Sequence, residues 1–107
     1  IKKIIKPSRF NLVDGFFEET LVKKKKSDLA RIVFIDSDTF SSANLALNYI
    51  LPIIQKGTII ILDDYFSYKG SKEKGVCGAF QKFVSENNIS NRTIFNYGMG
   101  GVVKIII

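Results

Sequence analysis

Two short runs of apolar, mostly β-branched residues place the strongest constraint on how this chain folds. They occupy positions 32–35 and 59–62 and read Ile-Val-Phe-Ile and Ile-Ile-Ile-Leu. Short runs that are apolar at every position are typical of strands covered on both faces, as in parallel sheets. Between them lies a segment whose apolar residues recur at helical spacing. This strand–helix–strand unit predicts an α/β fold built on a parallel sheet.

The remaining sequence extends the pattern on both sides. We predict a short strand at 10–13, a helix at about 72–86, and two closing strands at 93–97 and 102–107. The glycine-rich stretch between the last two suits an antiparallel hairpin. The predicted sheet is therefore mostly parallel with a C-terminal antiparallel hairpin, and it belongs to a single domain over 1–107.

The helix between the two apolar runs has a predicted start and a predicted buried face. Ser41 and Ser42 are the expected N-cap residues. The apolar face is expected to bury Ala43, Ala46, Leu47, Ile50, Leu51 and Ile54.

Composition narrows the chemistry available to the chain. It has no histidine and one cysteine, Cys77, which excludes histidine-based catalysis, histidine metal ligands and an internal disulfide. Any metal must then be held by oxygen atoms, which favours Mg²⁺, Ca²⁺ or Mn²⁺.

The net charge of +6 includes four lysines at 23–26. No aromatic residues interleave with them, so we interpret them as a solvated loop and expect no nucleic-acid partner.

The apolar runs are too short to suggest a membrane protein. None approaches the roughly 18 residues needed to cross a bilayer, so we expect a cytoplasmic protein with no membrane partner.

Aspartates follow both apolar runs. Asp36 and Asp38 come after the first, and Asp63 and Asp64 after the second. Ligands of open α/β sheets bind at the carboxyl ends of the strands, and carboxylates brought together there repel unless a cation or protons neutralise them. A divalent cation at this edge could lower the pKa of a substrate hydroxyl, with Asp36 or Asp38 taking the proton. The simpler alternative is that each aspartate only caps the loop that follows it.

Four stretches of the sequence carry a resemblance to a known family. They read VDGFFEETL at 13–21, FIDSDTFSS at 34–42, LP with KG at 51–57, and ILDDY at 61–65. With these motifs the chain resembles the macrocin O-methyltransferase-like family. Its members have a Rossmann-like class I fold and use S-adenosylmethionine and a metal to methylate hydroxyls of sugars and related molecules.

The resemblance implies metal ligands at Asp36, Asp63 and Asp64, with Mg²⁺ as the expected metal. The family usually has other residues at four positions, and these departures affect the substrate side of the site more than the metal side. They are Phe40, Ser41, Ala43 and Thr58.

The resemblance also implies that Gly15, Phe16 and Phe17 lie near the adenine of S-adenosylmethionine. The glycine-rich first strand and acidic second strand that hold the rest of this cofactor in the family have no counterpart here. We therefore expect the chain to be the C-terminal part of a longer methyltransferase domain, supplying the metal and acceptor half of the site. Alone it should be inactive, and it should self-associate through the exposed edge of the strand at 31–35.

Three alternatives stay open. A haloacid dehalogenase-type phosphohydrolase also has an apolar strand ending in Asp-x-Asp, but its threonine usually lies one position later than Thr39, and the spacing to Asp63 is short for its lysine motif. A receiver-like signalling domain has its acidic pair and lone aspartate in the reverse order. A non-catalytic assembly fragment would show no stabilisation by a metal.

Overall fold

The computed structural model of the protein describes residues 29–67 and 73–107. The chain forms β1 (Ile32–Ile35), α1 (Phe40–Ile50), β2 (Ile59–Leu62), α2 (Gly75–Glu86), β3 (Asn91–Tyr97) and β4 (Gly101–Ile106). A 3₁₀ turn at Leu51–Ile53 continues α1. The strand predicted at 10–13 and the cofactor residues predicted at 15–17 lie outside the described residues.

The four strands form one mixed sheet in the order β1-β2-β4-β3. β1 and β2 are parallel, and Ile35 lies opposite Leu62. β4 is antiparallel to both of its neighbours, so it alone runs in the reverse direction among the described strands. This arrangement of a parallel crossover and a closing hairpin is consistent with part of a methyltransferase-like sheet.

Both helices pack on one face of the sheet and form the core with it. The alternating residues Ile35, Ile60 and Leu62 point to this side, as does Val102 of β4. Cys77 is buried here. The largest fully buried apolar side chains are Phe80, Phe83, Leu47, Ile60, Leu62, Val76 and Val102.

In the part of the chain that the structure describes, no helix is long and apolar enough to cross a membrane.

The start of α1 differs from the sequence prediction. Thr39 is the N-cap, with an extended backbone, and its Oγ1 accepts a hydrogen bond from the backbone N–H of Ser42 at 3.2 Å. Ser41 and Ser42 are therefore the second and third residues of the helix, not its caps. A threonine one residue before the helix can satisfy an N–H group of the first turn that has no partner within the helix.

The other face of the sheet, which we call the second face, is apolar but uncovered by any described element. Its exposed members include Ile32, Phe34 and Phe95, which are 63%, 58% and 55% exposed. The prediction that the run at 32–35 is buried on both sides therefore fails among the described residues, because the two helices cover only one side. An open apolar depression of about 310 Å³ on this face is lined by Phe34, Ile61, Phe95, Tyr97 and Val103.

Candidate metal centre

The register of β1 and β2 brings two aspartates together at the carboxyl ends of these strands. Asp36 and Asp63 follow the paired residues Ile35 and Leu62, and the backbone N–H of Asp63 donates to the Ile35 carbonyl at 2.9 Å. Ile35 and Leu62 point into the core. Because side chains alternate between the faces of a sheet, the aspartate that follows each of them is expected to point away from the core. The carboxyl groups of the two aspartates are close enough for Asp63 to raise the pKa of Asp36.

Two further aspartates join the pair through turns with left-handed backbone. Asp38 has a φ of 59° and Asp64 a φ of 56°, a conformation that disfavours most side chains but that aspartate tolerates better than most. Asp36, Asp38 and Asp64 each offer a carboxylate oxygen, and these three oxygens lie within 4.8 Å of one another. We call these three residues the carboxylate cluster.

The electrostatics of the cluster reflect the crowding of like charges. Asp36 is exposed, and its pKa is raised first by the loss of part of its hydration, and then by the charge and hydrogen bond of Asp63 and the charge of Asp38. The pKa of Asp64 is raised by a hydrogen bond with Asp38 first, followed by partial burial and the charges of the neighbouring aspartates. A bound cation would relieve this repulsion.

The residues present fit a hard divalent cation. The cluster offers carboxylate oxygens, the ligands that Mg²⁺ and Ca²⁺ prefer. Ser37, which lies between Asp36 and Asp38 in the sequence, has a buried hydroxyl with no hydrogen-bond partner among the described residues, although buried polar atoms are usually satisfied by protein, water or an ion.

Tyr97 contacts this group of aspartates from β3. Its hydroxyl donates a hydrogen bond to Oδ1 of Asp63 at 2.9 Å. Partial burial and then the Asp63 carboxylate raise the pKa of Tyr97 to about 12, so the phenol keeps its proton and remains a donor at neutral pH.

A cavity of about 400 Å³ lies where the two helices begin. It is lined by Thr39, Phe40, Glu73, Lys74 and Gly75. One of its lining residues, Thr39, directly follows Asp38 of the cluster in the sequence. The volume of the cavity is in the range that holds small molecules.

Comparison with known families supplies the context for this geometry. The sequence profile described as macrocin-O-methyltransferase (TylF) matches residues 5–100. The chain belongs to this family. The resemblance seen in the sequence is thereby confirmed, and membership of the macrocin-O-methyltransferase family implies O-methylation with S-adenosylmethionine as the methyl donor. A search of curated proteins gave no significant match.

In this macrocin-O-methyltransferase family member, the structure gathers all four predicted aspartates but groups them differently from the prediction. The predicted ligands Asp36 and Asp64 lie in the cluster, and their third partner there is Asp38. Asp63, the other predicted ligand, lies beside Asp36 and accepts a hydrogen bond from Tyr97. The roles of these residues as ligands or proton acceptor stay predictions.

Sequence reasoning missed Tyr97. The available signal was its position as the last residue before the glycine-rich turn of the predicted closing hairpin, since such a turn returns the chain to the same edge of the sheet. The predicted cofactor residues Gly15, Phe16 and Phe17 are outside the described residues.

Proposed function

We propose that this protein transfers a methyl group from S-adenosylmethionine to a hydroxyl of a sugar or another small molecule, assisted by a divalent cation. Mg²⁺ is the expected metal. The observation that supports the cation is the carboxylate cluster, with three oxygens within 4.8 Å at the ends of two parallel strands.

In this proposal the residues of the cluster hold the cation, and one of them also accepts a proton. Asp36, Asp38 and Asp64 offer oxygens to the cation, and Asp63, which follows the paired strand β2, would be a further ligand. The cation, when bound, lowers the pKa of the acceptor hydroxyl. Asp36 or Asp38 takes up the proton that the hydroxyl releases.

We propose that the acceptor molecule binds next to the cluster. The cavity at the start of α1 and α2 combines polar side chains with the ring of Phe40, and a small hydroxylated molecule there would lie close to Asp38. We further propose that the described residues form the metal and acceptor half of the site. The adenine of the cofactor would then lie near Gly15, Phe16 and Phe17.

The decisive experiment measures methyl transfer from labelled S-adenosylmethionine to a panel of sugars and small phenols, using the full-length protein. We expect transfer that stops when a chelator removes the cation and resumes with added Mg²⁺. Asp64→Asn should lower the rate by at least about 10²-fold, because it removes a charged oxygen from the cluster.

Glu86→Gln is the matched control. Glu86 pairs with Lys82 on the surface of α2, so its substitution should leave transfer unchanged. Methyl transfer that continues at full rate in the presence of chelator would contradict the proposal that the reaction depends on a cation. Phosphatase activity that disappears in Asp36→Asn, without any methyl transfer, would support the phosphohydrolase instead.

A further inference from the structure

Tyr97 reaches Asp63 across a neighbouring strand. Tyr97 of β3 lies opposite Gly101 of β4, and Leu62 of β2 lies opposite Val102. The next residue after Leu62 is Asp63, so this register places Gly101 between the tyrosine and the aspartate. The space above Gly101 is the path along which the two side chains meet.

The missing side chain of Gly101 makes this contact possible. A Cβ built on Gly101 would lie 2.2 Å from Cζ and 2.3 Å from Cε1 of the Tyr97 ring. Carbon atoms cannot approach this closely, so the ring occupies the space that any other residue at this position would fill. Gly101 and Tyr97 therefore act as a pair, with the glycine providing the surface on which the ring lies.

The phenol acts on a carboxylate that borders the cluster. Its hydroxyl holds Oδ1 of Asp63 at 2.9 Å, and the carboxyl group of Asp36 is the neighbour of Asp63 on β1. A neutral donor restricts the rotation of a carboxylate without bringing a positive charge that would compete with a cation. Outer hydrogen-bond partners of this kind typically set the orientation of metal ligands.

We propose that Tyr97 is a positioning residue, whose hydroxyl orients Asp63 toward the cation site formed with the carboxylate cluster. This inference rests on the proposed function, since it requires that a cation binds there. It assigns a role to the closing hairpin, which carries both Tyr97 and Gly101 next to its turn.

The test is the affinity for Mn²⁺ alone, measured by calorimetry and by the electron paramagnetic resonance of the bound ion. Tyr97→Phe removes the hydroxyl and retains the ring over Gly101, so the fold should persist. We expect Mn²⁺ to bind about 10- to 100-fold more weakly, as for the loss of other outer partners of metal ligands. The resonance of the remaining bound ion should also change.

Two further variants separate positioning from a general structural effect. Tyr49→Phe, which also removes one phenol hydroxyl but near the far end of α1, should bind Mn²⁺ like the wild type. In an Asp63→Asn background, Tyr97→Phe should cause little further loss, because the hydroxyl acts through Asp63.

The possible failures are distinguishable. If the wild type binds Mn²⁺ and Tyr97→Phe binds it equally well, Tyr97 has no positioning role, while the proposed function stands. Equal losses from Tyr97→Phe with and without Asp63→Asn would also overturn the inference. If the wild type binds no cation, the cation site itself fails, and the positioning role with it.

Discussion

At the scale of single residues, the carboxylate cluster places negative charges close together before any cation arrives. Asp38 and Asp64 contribute to it from left-handed backbone, which aspartate tolerates better than most residues do. Loss of hydration and then the neighbouring carboxyl groups raise the pKa of Asp36, and a hydrogen bond with Asp38 is the largest cause of the raised pKa of Asp64. The arrangement thus favours binding of a cation over stability of the cation-free protein.

The cation-free protein should lose stability as pH rises from acid to neutral values. The pKa values of Asp36 and Asp64 are raised above the ordinary value of 3.8, so the folded state binds protons more tightly than the unfolded chain. Their favourable contribution is complete below that value and disappears as pH rises through the raised values. Urea unfolding with chelator, across this pH range, measures the effect.

Two comparisons isolate the contribution of the cluster from that of other carboxylates. Asp64→Asn should make the cation-free protein relatively more stable at neutral pH, whereas Glu86→Gln should not. Added Mg²⁺ should stabilise the wild type at neutral pH and have less effect on Asp64→Asn. A pH profile that is identical in wild type and Asp64→Asn would contradict this prediction.

The residues of the site were predictable to different degrees. The aspartates follow apolar strands, so a local pattern sufficed to identify all four. The grouping was not predictable, because it depends on the left-handed turns at Asp38 and Asp64. Tyr97 was harder still, since it lies 34 residues from Asp63 and meets it only through the pairing of β4 with both of its neighbours.

At the scale of elements, periodicity located the helices and strands, and local hydrogen bonds determined where they end. α1 buries Ala43, Ala46, Leu47 and Ile50 as expected. Leu51 was predicted on the same face but is 36% exposed, because the α-helix changes to a 3₁₀ turn that contains Pro52. Such ends depend on which side chain reaches which backbone group, as Thr39 does at the start of α1.

Gly78 of α2 should be intolerant of substitution. A Cβ at this position would lie 2.6 Å from the backbone carbonyl carbon of Glu73. Alanine normally favours a helix over glycine by about 1 kcal/mol. Here we expect Gly78→Ala to lower the free energy of unfolding by about 1–3 kcal/mol, because the backbone before α2 must shift. Urea unfolding provides the measurement.

Ser85→Ala is the control for this effect. Ser85 is an exposed residue of the same helix, so its substitution should be neutral or slightly stabilising. If Gly78→Ala stabilises the protein as much as or more than Ser85→Ala does, the close approach to Glu73 is not important.

At the scale of the whole molecule, the described residues cover only one of the two faces of the sheet. β1 is one of the two outer strands of the described sheet, and its Ile32 and Phe34 are more than half exposed on the second face. Parallel strands are rarely left uncovered, and an apolar edge strand can pair with another chain. We propose that copies of this chain associate through β1 and the adjoining part of the second face.

Phe34→Lys should weaken this self-association without unfolding the protein. The side chain is 58% exposed, so the lysine can remain in solvent in the free chain but would be buried where two copies meet. We expect the dissociation constant to rise by about tenfold or more, equivalent to about 1.4 kcal/mol. Analytical ultracentrifugation over a concentration series measures it.

Asn48→Lys adds the same charge at an exposed position of α1 and should leave association unchanged. Equal association of the wild type and Phe34→Lys would exclude β1 as the contact. The exposed edge at 31–35 was expected from the family resemblance, because the family's first two strands have no counterpart in this chain, and self-association through it stays a prediction. The sequence alone could not show which face the helices would cover.

The contact between Tyr97 and Asp63 also gives the protein an optical reporter of its own. The chain contains no tryptophan and four tyrosines, so tyrosines dominate its near-ultraviolet absorption and emission. The hydroxyl of one of them, Tyr97, donates a hydrogen bond to Asp63, which lies beside the carboxylate cluster. Events at that carboxylate can therefore be followed in the unlabelled protein, with Tyr97→Phe as the spectroscopic blank.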